Sequence, residues 1–327
     1  MKGVRFAGKG GPEVVGLAEL PEPAPGRGEV LVRVRAAALN RADLLQRRGL
    51  YPPPAGHRDD VPGMELAGEV VACGEGVVAW QPGDRVMAIA AGEAQAELAV
   101  AHERMLLRIP PALSFPEAAA LPEAGITSHD ALFTLGGLRP GATVLVHAAG
   151  SGIATTAIQL VRAAGATSIG TSRTAGKLER ARELGLDHGL LMSDPPRFAG
   201  EVRALTGGRG VSIVLELVGG PYLTDDIAAL APGGRIVVIG TMGGREGPLD
   251  LPLLMRARGA VVGTMLRPRP LEEKIAASQA FARDVLPLVA AGKVKPVVDL
   301  VLPASEARAA HERMEKNASF GKIVLTF

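Results

Sequence analysis

The hydrophobic pattern changes period twice along the chain. In the first third, Val30, Val32 and Val34 recur at every second position beside Arg33 and Arg35, the period of a strand with one buried face. Further strands are predicted over 66–73 and 85–89, punctuated by Pro25-Gly26, Pro82-Gly83 and Gly83-Asp84. Residues 40–48 read as a short helix closed by Gly49. The proline-rich stretch 51–56 reads as a rigid exposed loop, because proline lacks the N–H that a helix needs.

From about residue 143 the period becomes mixed. A β-branched apolar run at 144–147 predicts a buried strand, and small residues fill 148–154. Ile153, Ala157, Leu160, Val161 and Ala164 then follow at helical spacing. Strands are predicted over 168–171, 188–191, 211–217 and 234–239, alternating with helices over 174–184, 197–205 and 222–230. Strictly alternating strands and helices imply a parallel, doubly wound sheet, with a ligand at the carboxyl ends of its strands. A long helix over 271–291, a strand over 297–302, a helix over 305–315 and a strand over 323–325 complete the reading.

The strand–turn–helix at 143–166 is where a pyrophosphate would sit, on backbone N–H groups and the positive end of a helix. The G-x-G-x-x-G/A fingerprint fits neither register: Gly150 and Gly152 lead to Thr155, and Ala149, Ser151 and Ala154 occupy the shifted places. At the end of the second strand an NAD site would carry Asp or Glu; here the residues are Thr171, Ser172 and Arg173, with Lys177 beyond. Hydroxyl and cationic groups there suit a ribose 2′-phosphate.

Composition narrows the class. The chain has 327 residues, enough for two domains, and 47% are apolar. Its 36 basic and 34 acidic residues nearly balance at net +2, which argues against a dedicated nucleic-acid or membrane-surface partner. Met1 to Arg5 runs straight into a strand pattern, and no apolar run reaches the roughly 18 residues of a membrane span. Cys73 is the one cysteine, so no intramolecular disulfide forms; a cytoplasmic location is the expectation. The six histidines show no metal-ligand spacing and read as ordinary polar or capping residues.

The motifs resemble those of the zinc-independent medium-chain dehydrogenases/reductases. The likeness is to NADPH:quinone oxidoreductases of the ζ-crystallin-like group, in the tumour-suppressor-inducible branch. It is carried by Gly10-Gly11-Pro12-Glu13, the run from Ala38 through Asn40 and Asp43 to Leu44, and Gly49-x-Tyr51-x-Pro53-Pro54. Pro122-Glu123-Ala124, Ala157-Ile158-Gln159-Leu160 and the segment from Glu315 through Asn317 to Gly321-Lys322-Ile323-Val324-Leu325 extend it to the chain's end.

The resemblance implies an α/β fold with a GroES-like β-rich catalytic domain at 1–121 and 266–327. A Rossmann doubly wound parallel sheet domain would be inserted at 122–265, with the active site in the cleft between the two. It implies a homo-oligomer, dimer or tetramer, with dimers often joined through Rossmann edge strands, here near 260–265. It implies NADPH-dependent reduction of a small quinone by direct hydride transfer. Zinc-dependent relatives carry Cys where Asn40 stands and His where Met64 stands, so no metal is expected.

By carry-over, Asn40, Asp43 and Tyr51 line the substrate side. Thr127 lies by the nicotinamide, and Ser151, Gly152 and Ile153 meet the pyrophosphate. Ser172, Arg173 and Lys177 read the 2′-phosphate. Val218, Gly240, Met242, Leu266 and Arg267 flank the nicotinamide half, and Asn40 and Asn317 join the cofactor-binding set. Met192 stands where that branch has a tyrosine near the adenosine phosphate. Two other readings remain: an enone or enal reductase on the same fold, where a general acid matters more, and a non-catalytic NADPH- or RNA-binding role. The absence of an aromatic–basic patch speaks against RNA.

Overall fold

The computed structural model describes every residue except Pro195. The chain divides into two compact units: Met1–Ile126 with Leu266–Gly292 and Pro296–Phe327, and Thr127–Met265 with Lys293–Lys295.

The first unit is built on a sheet of seven strands among the described residues. Its path runs Val298–Pro303, Lys322–Thr326, Glu29–Ala38, Glu65–Cys73, Arg85–Ile89 and Leu107–Arg108, with Leu98–His102 also paired to Glu29–Ala38. The alternation at Val30, Val32 and Val34 places these side chains in one apolar cluster with Leu66, Val70 and Val86. Because the odd positions of that strand point the other way, Arg33 and Arg35 stay exposed. A second cluster joins Val4, Phe6, Leu39, Leu44, Ile323 and Leu325, so strands from both chain ends share one core. The hairpin-like pair Lys2–Phe6 and Val15–Glu19 runs antiparallel beside it.

The second unit holds six parallel strands among the described residues. The order is His188–Leu191, Thr167–Ser172, Thr143–Val146, Val211–Glu216, Leu230–Val238 and Ala260–Gly263. The sheet grows outward from Thr143–Val146 in both directions, so the order reverses between that strand and Val211–Glu216. Ligands of open α/β sheets sit outside the carboxyl ends at such a reversal.

Two expected helices differ from the reading, and a third helix was not expected. The helix expected over 271–291 is two, Leu271–Asp284 and Leu286–Ala290. Pro287 brings no N–H and its ring would strike the carbonyl four residues back, so the first helix ends before it. The helix expected over 305–315 opens as a 3-10 turn at Ala304–Glu306 and is α-helical only over Ala307–Glu315. Leu251–Ala257 is a helix the pattern did not announce. Asp250 caps it by accepting from Leu253 N at 2.9 Å; Leu253, Leu254 and Ala257 lean on the core while Leu251 and Met255 stand exposed, so only a short, half-buried stripe marks it.

Candidate functional site

In the first unit the strand Glu29–Ala38 ends just before Asn40, where the chain turns into the helix Arg41–Arg47. Asn40 is the N-cap of that helix, in a capping box with Asp43, and its amide also reaches across the fold. Its Nδ2 donates to Glu65 Oε1 at 2.9 Å, and its Oδ1 accepts from Lys322 Nζ at 2.6 Å. Lys322 is also paired with Glu65, Nζ to Oε1 at 2.6 Å, and the second Glu65 oxygen accepts from Glu123 N at 2.8 Å. Glu65 is sealed and Lys322 nearly so. A buried ion pair of this kind is held because both partners make further hydrogen bonds, Lys322 to Asn40 and Glu65 to Asn40 and Glu123.

Asp43 lies one helical turn on, fully buried. It accepts from Asn40 N at 2.8 Å, from Gln95 Nε2 at 3.2 Å and from Gly63 N at 3.3 Å. Gly63 has φ +119°, and a Cβ there would come within 2.3 Å of Gln95 N, so only glycine brings this N–H to Asp43. Burial pushes the Asp43 carboxyl up to about 6, although its N–H donors and the charges of Arg267 and Lys322 pull it down.

Tyr51 and Arg267 form the other half of this region. The Arg267 guanidinium lies over the Tyr51 ring, 5.4 Å from its centre. Its Nε donates to Ala91 O at 2.7 Å, Nη2 to Gln46 Oε1 at 2.8 Å and Nη1 to Tyr51 O at a long 3.4 Å. The side chain expected beside a nicotinamide is thus also the brace of the Tyr51 loop. Burial, and then the field of Glu123, push the Tyr51 hydroxyl up to about 12, with Arg267 opposing. Glu123 itself is pushed up to about 8, first by its enclosed position and then by Glu65, with Asp43 adding to the rise. Lys322 and Arg267 offset part of this.

Of the other expected residues in this unit, Leu266 is buried next to Arg267. Asn317 is exposed, with φ +52°, and its Oδ1 accepts from Arg41 Nη2 at 2.7 Å.

In the second unit the helix Gly152–Ala163 follows a turn in which Ala148 takes φ +51°, a left-handed conformation that glycine usually supplies. Ser151 caps the helix: its Oγ accepts from Ala154 N at 3.1 Å and its carbonyl from Thr155 N at 2.9 Å. The N–H groups of Gly152 and Ile153 have no acceptor within the helix, as the geometry of a first turn requires. The turn is tied down by Ser128 Oγ, which donates to Ile153 O at 3.0 Å; Thr127, its buried neighbour, starts the second unit.

At the end of the next strand, Ser172 Oγ accepts from Thr174 N at 3.0 Å and donates to Thr174 O at 3.1 Å. Arg173 is exposed, and Lys177 is half-buried on the helix Ala175–Glu183. Val218 and Gly240 both hang on Glu216, through its side chain and its carbonyl respectively. Met242 is exposed.

His147 differs from the ordinary polar residue expected. It is fully buried, its Nδ1 2.8 Å from Thr171 Oγ1 and its Nε2 2.7 Å from Asp226 Oδ1. Glu216 Oε2 lies 3.7 Å from the same Nε2. The rings of Phe198 and Tyr222 cover the imidazole edge to face, at 5.0 and 4.8 Å. Glu216 Oε1 accepts from Val218 N and from Gly219 N, the latter at 2.7 Å. That leaves Glu216 Oε2 and Asp226 Oδ2 buried without a donor, although the two carboxyls are hydrogen-bond partners. One proton shared between them satisfies both.

Burial pushes Glu216 and Asp226 up, Asp226 adding to the rise of Glu216 and Asp225 to that of Asp226, and burial holds His147 down. These three form a group whose ligand atoms come within 4.8 Å of one another. Two ligands of one zinc ion stand about 3.3 Å apart at ordinary bond lengths. The 2.7 Å from His147 Nε2 to Asp226 Oδ1 is instead a hydrogen-bond distance. The group holds protons.

Sequence reasoning gave no role to Glu65, Gln95, Glu123, Lys322, His147, Glu216 or Asp226. Glu123 and Lys322 lay within motifs already singled out, Pro122-Glu123-Ala124 and Gly321-Lys322. The others have no local signal, because their partners are brought from distant strands.

Comparison with known proteins accords with this architecture. The profile of the alcohol dehydrogenase GroES-like domain matches residues 26–111, and that of zinc-binding dehydrogenases residues 152–282. The chain is 34% identical to the human synaptic vesicle membrane protein VAT-1 homolog, over 98% of this chain and 85% of that protein. It is 30% identical to the quinone oxidoreductase of Rattus norvegicus, over 99% and 97% respectively. The structure of Escherichia coli quinone oxidoreductase complexed with NADPH superposes with a TM-score of 0.88 at 28% identity, covering all of both chains. With its GroES-like and Rossmann-type parts and full-length relatives, the chain belongs to the medium-chain dehydrogenase/reductase family of oxidoreductases, as a quinone-oxidoreductase-like member.

Proposed function

We propose that the protein reduces quinones with NADPH by direct hydride transfer and without a metal. The observation that carries this reading is the Asn40–Glu65–Lys322 cluster. Where zinc-dependent relatives place ligands, this chain has an amide and the buried thioether of Met64, and the cation resting on Glu65 is the Lys322 ammonium. An amide, a thioether and an ammonium do not make a zinc site. A conjugated dicarbonyl needs no Lewis acid, since the charge it gains spreads over its ring.

The residues fit a nicotinamide dinucleotide. The free N–H groups of Gly152 and Ile153 suit a pyrophosphate, and the strand ending at Ser172 carries no carboxylate to repel a 2′-phosphate. Arg173 and Lys177 supply positive charge there, which favours NADPH. The reduced nicotinamide supplies the hydride. Tyr51 orients the acceptor through its hydroxyl, Arg267 holds the Tyr51 loop, and Asn40 and Asp43 shape the floor.

The edge strand Ala260–Gly263, with Val261 exposed, further supports a homodimer joined through that edge. The domain limits 1–121 with 266–327, and 122–265, remain our reading of the functional parts.

The test is a steady-state panel of ortho-quinones, para-quinones and enones with NADPH and NADH, beside elemental analysis. We expect ortho-quinones to drive NADPH oxidation, NADPH to outperform NADH by about tenfold or more, and no stoichiometric zinc. No turnover with any acceptor, or about one zinc per chain with activity lost on chelation, would contradict the proposal.

A further inference from the structure

We propose that Glu216 is a positioning residue for the nicotinamide half of the cofactor, and that the proton it shares with Asp226 controls NADPH binding. The inference rests on the reduction reading above and adds to it a residue and a dependence on pH.

One residue holds two of the loops at the carboxyl ends of the parallel sheet. Glu216 Oε1 accepts from Val218 N and from Gly219 N, the latter at 2.7 Å. The Glu216 carbonyl accepts from Ile239 N at 2.8 Å and from Gly240 N at 3.2 Å. The two loops are also laced to each other, Gly243 N donating to Val218 O at 2.7 Å and Gly220 N to Gly244 O at 3.0 Å. Val218 and Gly240, read as flanking the nicotinamide, therefore take their places from Glu216.

With Oε1 spent on the loop, Glu216 Oε2 is buried and has no donor among the described residues, and neither has Asp226 Oδ2. Both carboxyls reach one nitrogen: His147 Nε2 lies 2.7 Å from Asp226 Oδ1 and 3.7 Å from Glu216 Oε2. One proton between the carboxyls satisfies both orphaned oxygens, whereas two buried carboxylates this close repel each other. His147 follows the strand Thr143–Val146 and leads straight into the turn before the helix Gly152–Ala163. Its Nδ1 is 2.8 Å from Thr171 Oγ1, next to Ser172. The same group is thus tied to the turn that suits a pyrophosphate.

The surrounding charges leave the pair uncompensated. Burial holds His147 down, so the imidazole brings no charge at alkaline pH. Asp225, beside Asp226 on the helix Leu223–Ala229, accepts from Phe198 N at 2.6 Å and Ala199 N at 3.1 Å and lies 3.8 Å from Arg197. The Tyr222 hydroxyl is pushed up, first by burial and then by Glu216, with Asp226 and Asp194 adding to the rise and Arg173 opposing it. As pH rises through about 8, the pair gives up its proton. The like charges then drive the two side chains apart, and the N–H groups held by Glu216 Oε1 move with it. The added charge also opposes the phosphates of the cofactor. Both effects weaken binding, and by linkage NADPH binding at alkaline pH takes the proton back up.

The experiment is calorimetric titration of the wild type across pH 6.5–9.5, in buffers of different ionisation enthalpy so that proton uptake is counted. NADPH is compared with adenosine 2′,5′-bisphosphate, which lacks the nicotinamide half. We expect the NADPH dissociation constant to be level near neutrality and to rise above pH 8 by up to about tenfold per pH unit, with about one proton taken up per NADPH near pH 9. The bisphosphate should weaken by about threefold or less, since a more distant charge is screened. These readouts need no variant. Glu216→Gln keeps an acceptor for Val218 and Gly219 and offers Asp226 a permanent donor, and Asp226→Asn offers one to Glu216. Each should bind NADPH about equally at both ends of the range and without proton uptake; far-UV circular dichroism recognises a variant that has not folded. A level NADPH affinity in the wild type, binding near pH 9 without proton uptake, a bisphosphate that weakens in parallel, or a pH dependence that survives in both variants would overturn the proposal. Proton-linked NADPH binding by a protein that reduces no quinone would overturn the reduction reading and uphold this one. Quinone reduction with a level NADPH affinity would do the reverse.

Discussion

Tyr51 separates two mechanisms at the level of a single hydroxyl. Hydride arrival at a quinone leaves an oxygen that water can protonate after the barrier, so for that substrate the hydroxyl only orients. A lost orienting hydrogen bond costs about 0.5–1.5 kcal/mol, at most roughly tenfold in rate. Tyr51→Phe keeps the ring under the Arg267 guanidinium and should therefore lose no more than about tenfold in turnover on an ortho-quinone. Tyr51→Ala also forfeits the ring on which Arg267 rests, and with it the loop's position, so its loss should be larger. On an enone Tyr51→Phe should cost more than on a quinone, because the enolate is the stronger base and gains more from an acid. The check is turnover measured with cofactor binding intact; a thousandfold loss on quinones would place the hydroxyl in that transition state as an obligatory acid. Arg267 shows the limit of reading residues one at a time. The resemblance placed it beside the nicotinamide, and three of its contacts are to Gln46, Tyr51 and Ala91.

Among elements, what was legible depended on whether the signal was local. The strands Arg85–Ile89 and His188–Leu191 have the bounds their apolar runs predict, because a strand's burial is written in its own residues. The helix Phe115–Ala119 was also announced, by Ser114 with Glu117 three residues on; Ser114 Oγ accepts from Glu117 N at 3.4 Å and Glu117 Oε2 accepts from Ser114 N at 2.8 Å. That capping box went unread. The His147 group could not be read at all, since His147 follows the strand Thr143–Val146, Glu216 ends the strand Val211–Glu216 and Asp226 sits on the helix Leu223–Ala229. Glu216 also holds Gly219, whose φ of +99° and whose approach to Gly244 O, 2.3 Å from a Cβ placed there, admit only glycine.

This group makes stability depend on pH. Glu216 is pushed up to about 8 in the fold, above its unfolded value near 4.3. Its contribution is complete below the unfolded value and is lost as pH rises through the folded one. His147, held neutral, acts in the opposite sense at the acid side, losing stability as pH falls through its unfolded value near 6.5. The melting temperature of the wild type should therefore drop between pH 6 and 9. Glu216→Gln keeps an acceptor for Val218 and Gly219 and offers Asp226 a permanent donor, so thermal unfolding should show a shallower drop. An unchanged slope would mean that the shared proton lies elsewhere.

On the scale of the whole chain, the parallel sheet leaves two edges, His188–Leu191 and Ala260–Gly263, and they differ in what surrounds them. Next to Ala260–Gly263, Met255 is 75% exposed, Leu251 56% and Val261 38%, with Leu249 and Met265 also open. An open edge strand flanked by apolar side chains is the arrangement that soluble proteins avoid unless something covers it. The helix Leu251–Ala257 supports the same view, since Leu251 and Met255 stand exposed while Leu253, Leu254 and Ala257 lean half-buried on the sheet's core. A second copy of the chain is the simplest cover. In a two-fold interface each residue meets its own counterpart or a near neighbour of it, so both edges pair at once and the apolar helices close over the seam. The same symmetry makes the contact sensitive to charge, because one substitution introduces two like charges. Val261→Lys should therefore halve the mass measured by sedimentation equilibrium at micromolar concentration. Folding of the monomer should be little affected, because the side chain is already partly in water. A wild type that sediments as a monomer, or a Val261→Lys variant that keeps the full mass, would remove this edge from the assembly.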